Sequence, residues 1–309
     1  MIWVYWAASS VVFFSFLSLL QRIISIDSKH PRAMSIVFNI CGAIIAFLIF
    51  LAGGSYKNFA LPQMPEAWIF ILIASAMYGL FERWRFLASK LLEASVYSII
   101  SNIAVVIAFT GSVFLYSESL NLTNLAGVGM VILALILIGT AGGIHKKISL
   151  KGLGVGVVVS VFLGLGWMLD KKGALYFNAA TYSMLIWIIP MIFVFFPYIK
   201  IKEIKYEAGR GLWKIVLLAA INVVGYLLML KGLETGDATR IIPIVQTSSV
   251  VTVILGIFLL MRKRTYGEKD NFFNHCDSRC LFADSRISYF DLFLKILLKR
   301  KERKGTVFL

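Results

Sequence analysis

Charge is scarce in this chain. Asp, Glu, Lys and Arg make up 15% of its 309 residues, against 59% hydrophobic ones. A soluble domain has about 25% charged and about 45–50% apolar residues. So few charges cannot build a water-facing shell, which excludes a soluble enzyme and a disordered chain. Three cysteines, Cys41, Cys276 and Cys280, form no disulfide framework and exclude a stapled secreted domain. A membrane-embedded enzyme needs His, Asp or Ser clustered at one membrane face. The three histidines, His30, His145 and His275, all lie outside the apolar runs, and no enzymatic activity is expected. Gly152-x-Gly154-x-Gly156 is no phosphate loop, because it lacks a preceding strand and a Lys-Ser/Thr ending. No cofactor is expected.

What the chain does have is long apolar stretches. Nine runs, at about 2–24, 33–54, 67–90, 94–116, 121–142, 152–175, 179–199, 212–232 and 238–261, are each long enough to cross ~30 Å of hydrocarbon as a helix. They are continuous rather than alternating, which favours helices over barrel strands. The first run has no basic residue before it and no small-x-small site, and it is too long for a cleavable signal. The net charge of +15 divides unevenly. Residues 262–309 hold 12 of the 31 basic and 6 of the 16 acidic residues, leaving a surplus of nine for the rest. Those basic residues lie in short gaps between apolar runs, as cytoplasmic loops would place them, and not in a nucleic-acid-binding patch. Odd-numbered loops hold Arg22, Lys29, Arg32, Lys90, Lys146, Lys147, Lys151, Lys200, Lys202, Lys205, Arg210 and Lys214. Even-numbered loops hold only Lys57, Lys171, Lys172, Lys231 and Arg240. This bias puts the odd loops in the cytoplasm and the N-terminus outside.

The chain repeats itself at a spacing of 144 residues. EASVYSIISNIAVVIAFTGSVFLYSE from Glu93 aligns without a gap on DATRIIPIVQTSSVVTVILGIFLLMR from Asp237. Ala94 meets Ala238, Phe114 meets Phe258, Glu93 meets Asp237, Ser95 meets Thr239 and Asn102 meets Gln246. With five spans per half, the halves run in opposite senses, the inverted-repeat plan of secondary transporters. Three stretches carry a family likeness: Ser117-Glu118-Ser119-Leu120, the Gly-rich NLAGVGMVILALILIG, and LKGLETGDATRIIPIVQTSSVVTVILGIFLL. On these, residues 1–261 resemble the EamA family of the drug/metabolite transporter superfamily. The resemblance implies ten helices and cytoplasmic chain ends, opposite to the placement of the N-terminus by charge.

The family pattern calls for a tenth helix after about residue 262, and this chain has a polar stretch there, RKRTYGEKDNFFNHCDSRCLFAD. Arg262 stands where the mate of Glu118 belongs. The possible codons for this stretch, read one nucleotide downstream, can encode a glutamate in register with Glu118, a basic turn and an apolar run. A frameshift near Met261 is therefore expected, with an evolved cytoplasmic tail as the alternative. Sequencing the gene decides between them. His275-Cys276-x3-Cys280 has metal-ligand spacing, but a zinc site needs about four ligands and no further Cys or His pair follows, so no metal is expected.

Ionisable groups at bilayer depth are costly and mark cavities or partners. In YGLFERWRFLASK, Glu82 lies about 22 Å along its run from Ala67. Glu82 and Arg85, spaced i, i+3, share a face and can pair, while Arg83 points elsewhere. The pair is either a cavity group for a charged or zwitterionic solute or an interfacial pair snorkelling to the headgroups. Asp170, in WMLDKK, is either a proton-coupling carboxylate or an end-of-helix charge; its counterpart in the first span is Leu20-Gln21-Arg22. Asn39, Asn102, Asn222 and Gln246 either hydrogen-bond between helices or line a solute path. Tyr78, Trp167 and Tyr226 lie deep enough to touch solute. Pro243 invites a kink in the ninth span. Glycines 127, 129, 139, 143, 152, 154, 156, 164 and 166 allow close helix approach.

The reading is an all-α polytopic membrane protein, an inverted repeat of five-helix halves with nine clear spans. Residues 1–142 form the first repeat, 152–261 the second with its tenth helix missing, and 262–309 a basic tail. Its expected work is secondary transport of a small metabolite, such as an amino acid or other small amphipathic solute, through a midplane cavity in the plasma membrane. The energy source is a proton or solute gradient. The partners are that solute, a coupling proton and the lipid bilayer. The alternatives are an inactive remnant of such a carrier and a membrane-embedded enzyme.

Overall fold

The computed structural model describes residues 2–252 apart from 60–61, 93, 119–121, 142–148 and 199. The expected ninth run is thus described only to residue 252, and the tail, with His275, Cys276 and Cys280, lies outside the described residues. The described chain is all-helical: α1 (Ile2–Asp27), α2 (Pro31–Ala52), a 3-10 turn (Ser55–Asn58), α3 (Pro65–Leu91), α4 (Ala94–Tyr116), α5 (Leu122–Ala141), α6 (Leu150–Phe177), α7 (Ala179–Ile188), α8 (Met191–Phe195), α9 (Ile201–Thr235) and α10 (Ala238–Gln246). Among these residues six helices are long and apolar enough to cross a membrane: α1, α2, α3, α4 from Ile99, α6 and α9. Ala179–Phe195 is a shorter apolar stretch.

The boundaries follow local chemistry. Pro31 and Pro65 open α2 and α3 at positions where a missing N–H costs nothing. Ser149 caps α6 by accepting from the Gly152 amide at 2.8 Å, and Asn178 caps α7 by accepting from the Thr181 amide at 3.0 Å. Pro190 divides the expected seventh run into α7 and α8. The expected eighth run gains a polar first part, because α9 begins at Ile201 and is interrupted at Gly211. In the ninth, Pro243 is inside α10 and the helix break falls later, at Thr247, whose hydroxyl donates to the Ile244 carbonyl.

Packing follows a pattern. α1 lies along α9 and α3 lies along α6; α2 also packs on α9, and α4 on α6 and α10. Close approach depends on glycine at a few places. A Cβ on Gly164 would sit 2.7 Å from the Ala104 carbonyl oxygen and 2.9 Å from its Cα, so α6 and α4 touch through backbone there. Gly156 and Gly166 also meet neighbours at under 3.0 Å, whereas Gly127, Gly129 and Gly154 face open space among the described residues. The packing role read from sequence therefore belongs to α6 and not to every glycine. Backbone cannot yield as a flexible side chain can. Gly164→Ala is expected to lower unfolding stability in detergent by about 1–3 kcal/mol, and a wild-type melting temperature would contradict this contact.

The two ends of the bundle differ. At the α1–α2 end, the Lys90 ammonium donates to the Ser28 carbonyl at 2.6 Å. Arg32 and Arg83 both donate to the Phe196 carbonyl, at 3.2 and 3.1 Å, and Arg210 donates to the Asp27 carbonyl. Glu207 accepts from the amides of Lys29 and His30 at 2.9 and 2.7 Å, directly before α2. Nearby Glu203 pairs with Lys200 and accepts from the Tyr198 hydroxyl. At the α9–α10 end, Glu234 accepts from the Ala179 amide at the start of α7.

Candidate functional site

A cavity of about 230 Å³ lies within the bundle. It is lined from the middle of the molecule to Leu92 and Tyr97 near the α1–α2 end. Eight of the residues singled out from sequence meet there: Asn39, Tyr78, Glu82, Arg85, Trp167, Asn222, Tyr226 and Gln246.

One wall carries the ion pair. An Arg85 Nη donates to Glu82 Oε1 at 2.5 Å, one helical turn apart on α3, and the two side chains are 4% and 9% exposed. Burial this deep removes the snorkelling alternative. Arg85 is held on every side: Nε and its second Nη donate to Gln21 Oε1, and the guanidinium lies over the rings of Phe38, Phe81 and Phe86 at 4.9–5.4 Å. Gln21 in turn donates to Ser89 at 2.7 Å. Asn39 donates to Glu82 Oε2 at 3.4 Å and to the Ser35 carbonyl at 2.8 Å. Geometry and hydrogen bonds of this quality are what a buried pair needs to repay its desolvation.

A second wall is aromatic. The rings of Tyr78 on α3 and Tyr226 on α9 meet edge to face at 5.8 Å. Both hydroxyls donate to Asp170, at 2.5 and 2.8 Å, and Tyr182 on α7 adds a third bond at 3.1 Å. Asp170 has no exposed surface and lines no part of the cavity. The end-of-helix reading of Asp170 is corrected: α6 continues for two turns to Phe177, so the carboxylate sits inside the bundle. The sequence of α6 explains the arrangement. Gly166 and Gly173 are four residues before and three after Asp170, on the same face. A Cβ at Gly166 would strike the Tyr78 ring at 2.9 Å, and one at Gly173 would overlap the Tyr182 ring. Two bare positions let two rings lie flat on α6 with their hydroxyls at the carboxylate.

Neutral polar groups complete the lining. Gln246 donates weakly to Ser101 and Ser249, at 3.4 and 3.3 Å, and Asn222 stands on α9 one turn before Tyr226. Asn102 is corrected: it is buried on α4 but outside the lining, and its neighbour Ser101 faces the cavity instead. Adjacent helical positions point about 100° apart, so a sequence match with Gln246 does not ensure a shared destination. Sequence reasoning missed Tyr182, Tyr97, Trp187 and the serines. Tyr182 carries no periodic or charge signal that could have found it. Gln21, noted only as the counterpart of Asp170, is the partner of Arg85.

On the α9–α10 side of these tyrosines, a carboxylate joins distant parts of the chain. Glu118, just after α4, accepts from Lys171 of α6 at 2.5 Å and from the Ala238 and Thr239 amides at 3.0 and 2.9 Å, the first turn of α10. Partial burial pushes its carboxyl up, but Lys171 and the two amides outweigh this and hold it below the usual range. A negative group at a helix N-terminus also meets the positive end of the helix dipole. Among the described residues no three His, Cys, Asp or Glu side chains come together to hold a metal ion.

The model of the EamA-like transporter family matches residues 1–140 and 150–267. No curated protein matches. Among solved structures, 24 chains match. One, titled only "Crystal structure of protein", is similar with a TM-score of 0.61, covering 83% of this chain and 88% of its own, at 14% identity. That is a likeness of fold alone.

Proposed function

The chain belongs to the EamA-like transporter family, within the drug/metabolite transporter superfamily, and from that membership we propose that it is a secondary carrier for a small amphipathic metabolite, such as an amino acid. The observation that carries this reading is the cavity: a buried, fully bonded ion pair faces an aromatic wall inside a bundle of membrane-length apolar helices. Such a site suits a solute with a polar or zwitterionic head and an apolar body. The head would meet Glu82, Asn39 and Asn222, and the body Phe81, Trp167 and Trp187.

The packing pattern supports two inverted halves. If α1 corresponds to α6 and α3 to α9, then the α1–α9 and α3–α6 contacts are the same contact made twice. Rocking of one half against the other would expose the cavity alternately at the two faces. The basic α1–α2 end supports a cytoplasmic position for that end, in the plasma membrane, and a proton or solute gradient would supply the energy. A second reading, a remnant that no longer transports, rests on the polar stretch that follows Arg262 where the family has an apolar helix.

Glu82→Gln keeps the shape of the side chain and removes its charge. In liposomes carrying the full-length chain, a panel of radiolabelled metabolites is expected to include at least one that wild type moves, and Glu82→Gln is expected to cut that flux at least tenfold. Unchanged flux removes Glu82 from the solute site. No flux for any compound, together with rapid loss of the protein from cells, favours the remnant.

A further inference from the structure

We propose that Asp170 is a proton-binding site whose occupancy is linked to what fills the cavity; this rests on the carrier reading and names its coupling ion. Asp170 is without exposed surface, deep in an apolar helix bundle, and its recorded partners are three tyrosine hydroxyls and no cation. An anion so placed pays a large desolvation penalty that only hydrogen bonds offset, and taking up a proton removes the charge altogether.

Among the described residues, the groups around Asp170 are tyrosines and cations that pair elsewhere. α3 presents Tyr78, α7 presents Tyr182 and α9 presents Tyr226. From α4, Tyr116 approaches the same region, but its hydroxyl donates to the Met168 carbonyl. On α6 itself, Lys171 pairs with Glu118, and the Lys172 ammonium lies 4.6 Å from the centre of the Phe70 ring. From α10, Arg240 pairs with Asp237 at 3.2 Å. Among the described residues, each of these cations is engaged elsewhere.

The link to the cavity is geometric. Tyr78 and Tyr226 both line it, and both hold Asp170 with their hydroxyls. A solute that turns either ring withdraws a donor from the carboxylate, which then takes a proton. The balance is simple: a carboxylate oxygen gains one proton from water of the cavity once the ring has turned aside, and every tyrosine keeps its own proton. Return of the tyrosine sends the proton back the same way. Tyr182, which does not line the cavity, keeps its bond throughout and fixes the position of the carboxylate.

The test uses the full-length chain in liposomes and two readouts. Infrared spectra recorded across a pH titration are expected to show a protonated-carboxyl band in wild type that Asp170→Asn lacks. Tyr182→Phe is expected to keep the band with a changed midpoint. A titrating band that is identical in folded Asp170→Asn overturns the proposal; should that variant not fold, an unchanged midpoint in Tyr182→Phe overturns it. For whichever radiolabelled solute wild type moves, a pH gradient is expected to drive accumulation that Asp170→Asn loses. Flux that ignores the gradient sinks the proton site and leaves the carrier standing. A titrating band with no flux for any solute sinks the carrier and leaves the proton site.

Discussion

Arg85→Met is expected to destabilise the protein by about 3–5 kcal/mol, the cost of leaving one member of a buried pair without its partner. The guanidinium makes the 2.5 Å bond to Glu82, two donations to Gln21, and contacts with three phenylalanine rings. Methionine replaces the apolar stem and none of the donors. Glu82 would keep only the 3.4 Å bond from Asn39, and Gln21 would lose both bonds to its carbonyl oxygen. The decisive comparison is the double variant Glu82→Gln/Arg85→Met. Replacing both charges removes the stranded anion, and exchange of a whole buried pair for neutral groups is often close to neutral in stability. Thermal unfolding in detergent is thus expected to rank wild type and double variant close together, with Arg85→Met far below. A single variant as stable as wild type would show that the pair is solvated. The double variant is not expected to transport.

Glu118→Gln carries the second large effect. The carboxylate ends one helix, caps another and anchors Lys171, so three donors depend on it. Each hydrogen bond to a charged group contributes about 1.5–3 kcal/mol. An amide can still accept, but without charge, and it no longer complements Lys171 or the helix dipole. A loss of about 2–3 kcal/mol is expected. The effect has a pH signature. The folded protein holds this carboxyl below its ordinary value. Its stabilisation is therefore complete above the ordinary carboxylate range and is lost as pH falls through the folded value. Wild type is expected to lose melting temperature in that acid window more steeply than Glu118→Gln, with the two curves converging at the acid end. Parallel curves would remove Glu118 from the account.

The long helices were legible because each is a continuous apolar run, and length against bilayer thickness is a strong constraint. The pair Glu82 and Arg85 was legible as a pair, because opposite charges at i, i+3 share a helix face; whether it met a cavity or the headgroups was not, and its burial decides that. Other features depend on contacts that no local pattern carries. Asp170, followed by two lysines, reads as a helix end; it lies inside because Lys171 reaches Glu118 and the helix carries on. Tyr182 is one tyrosine among many until Gly173 gives it a flat place to lie. The first part of α9 looks like a loop, since Lys202, Lys205 and Arg210 hide its helix; burial of Glu207 against the start of α2 shows why the chain coils there.

α9 grips two other helices by their starting turns, α2 through Glu207 and α7 through Glu234, at opposite ends of the bundle. The break at Gly211 falls between those two glutamates, so α9 is a jointed lever and not one stiff bar. A bend at that joint would shift α2 without dragging α7 along.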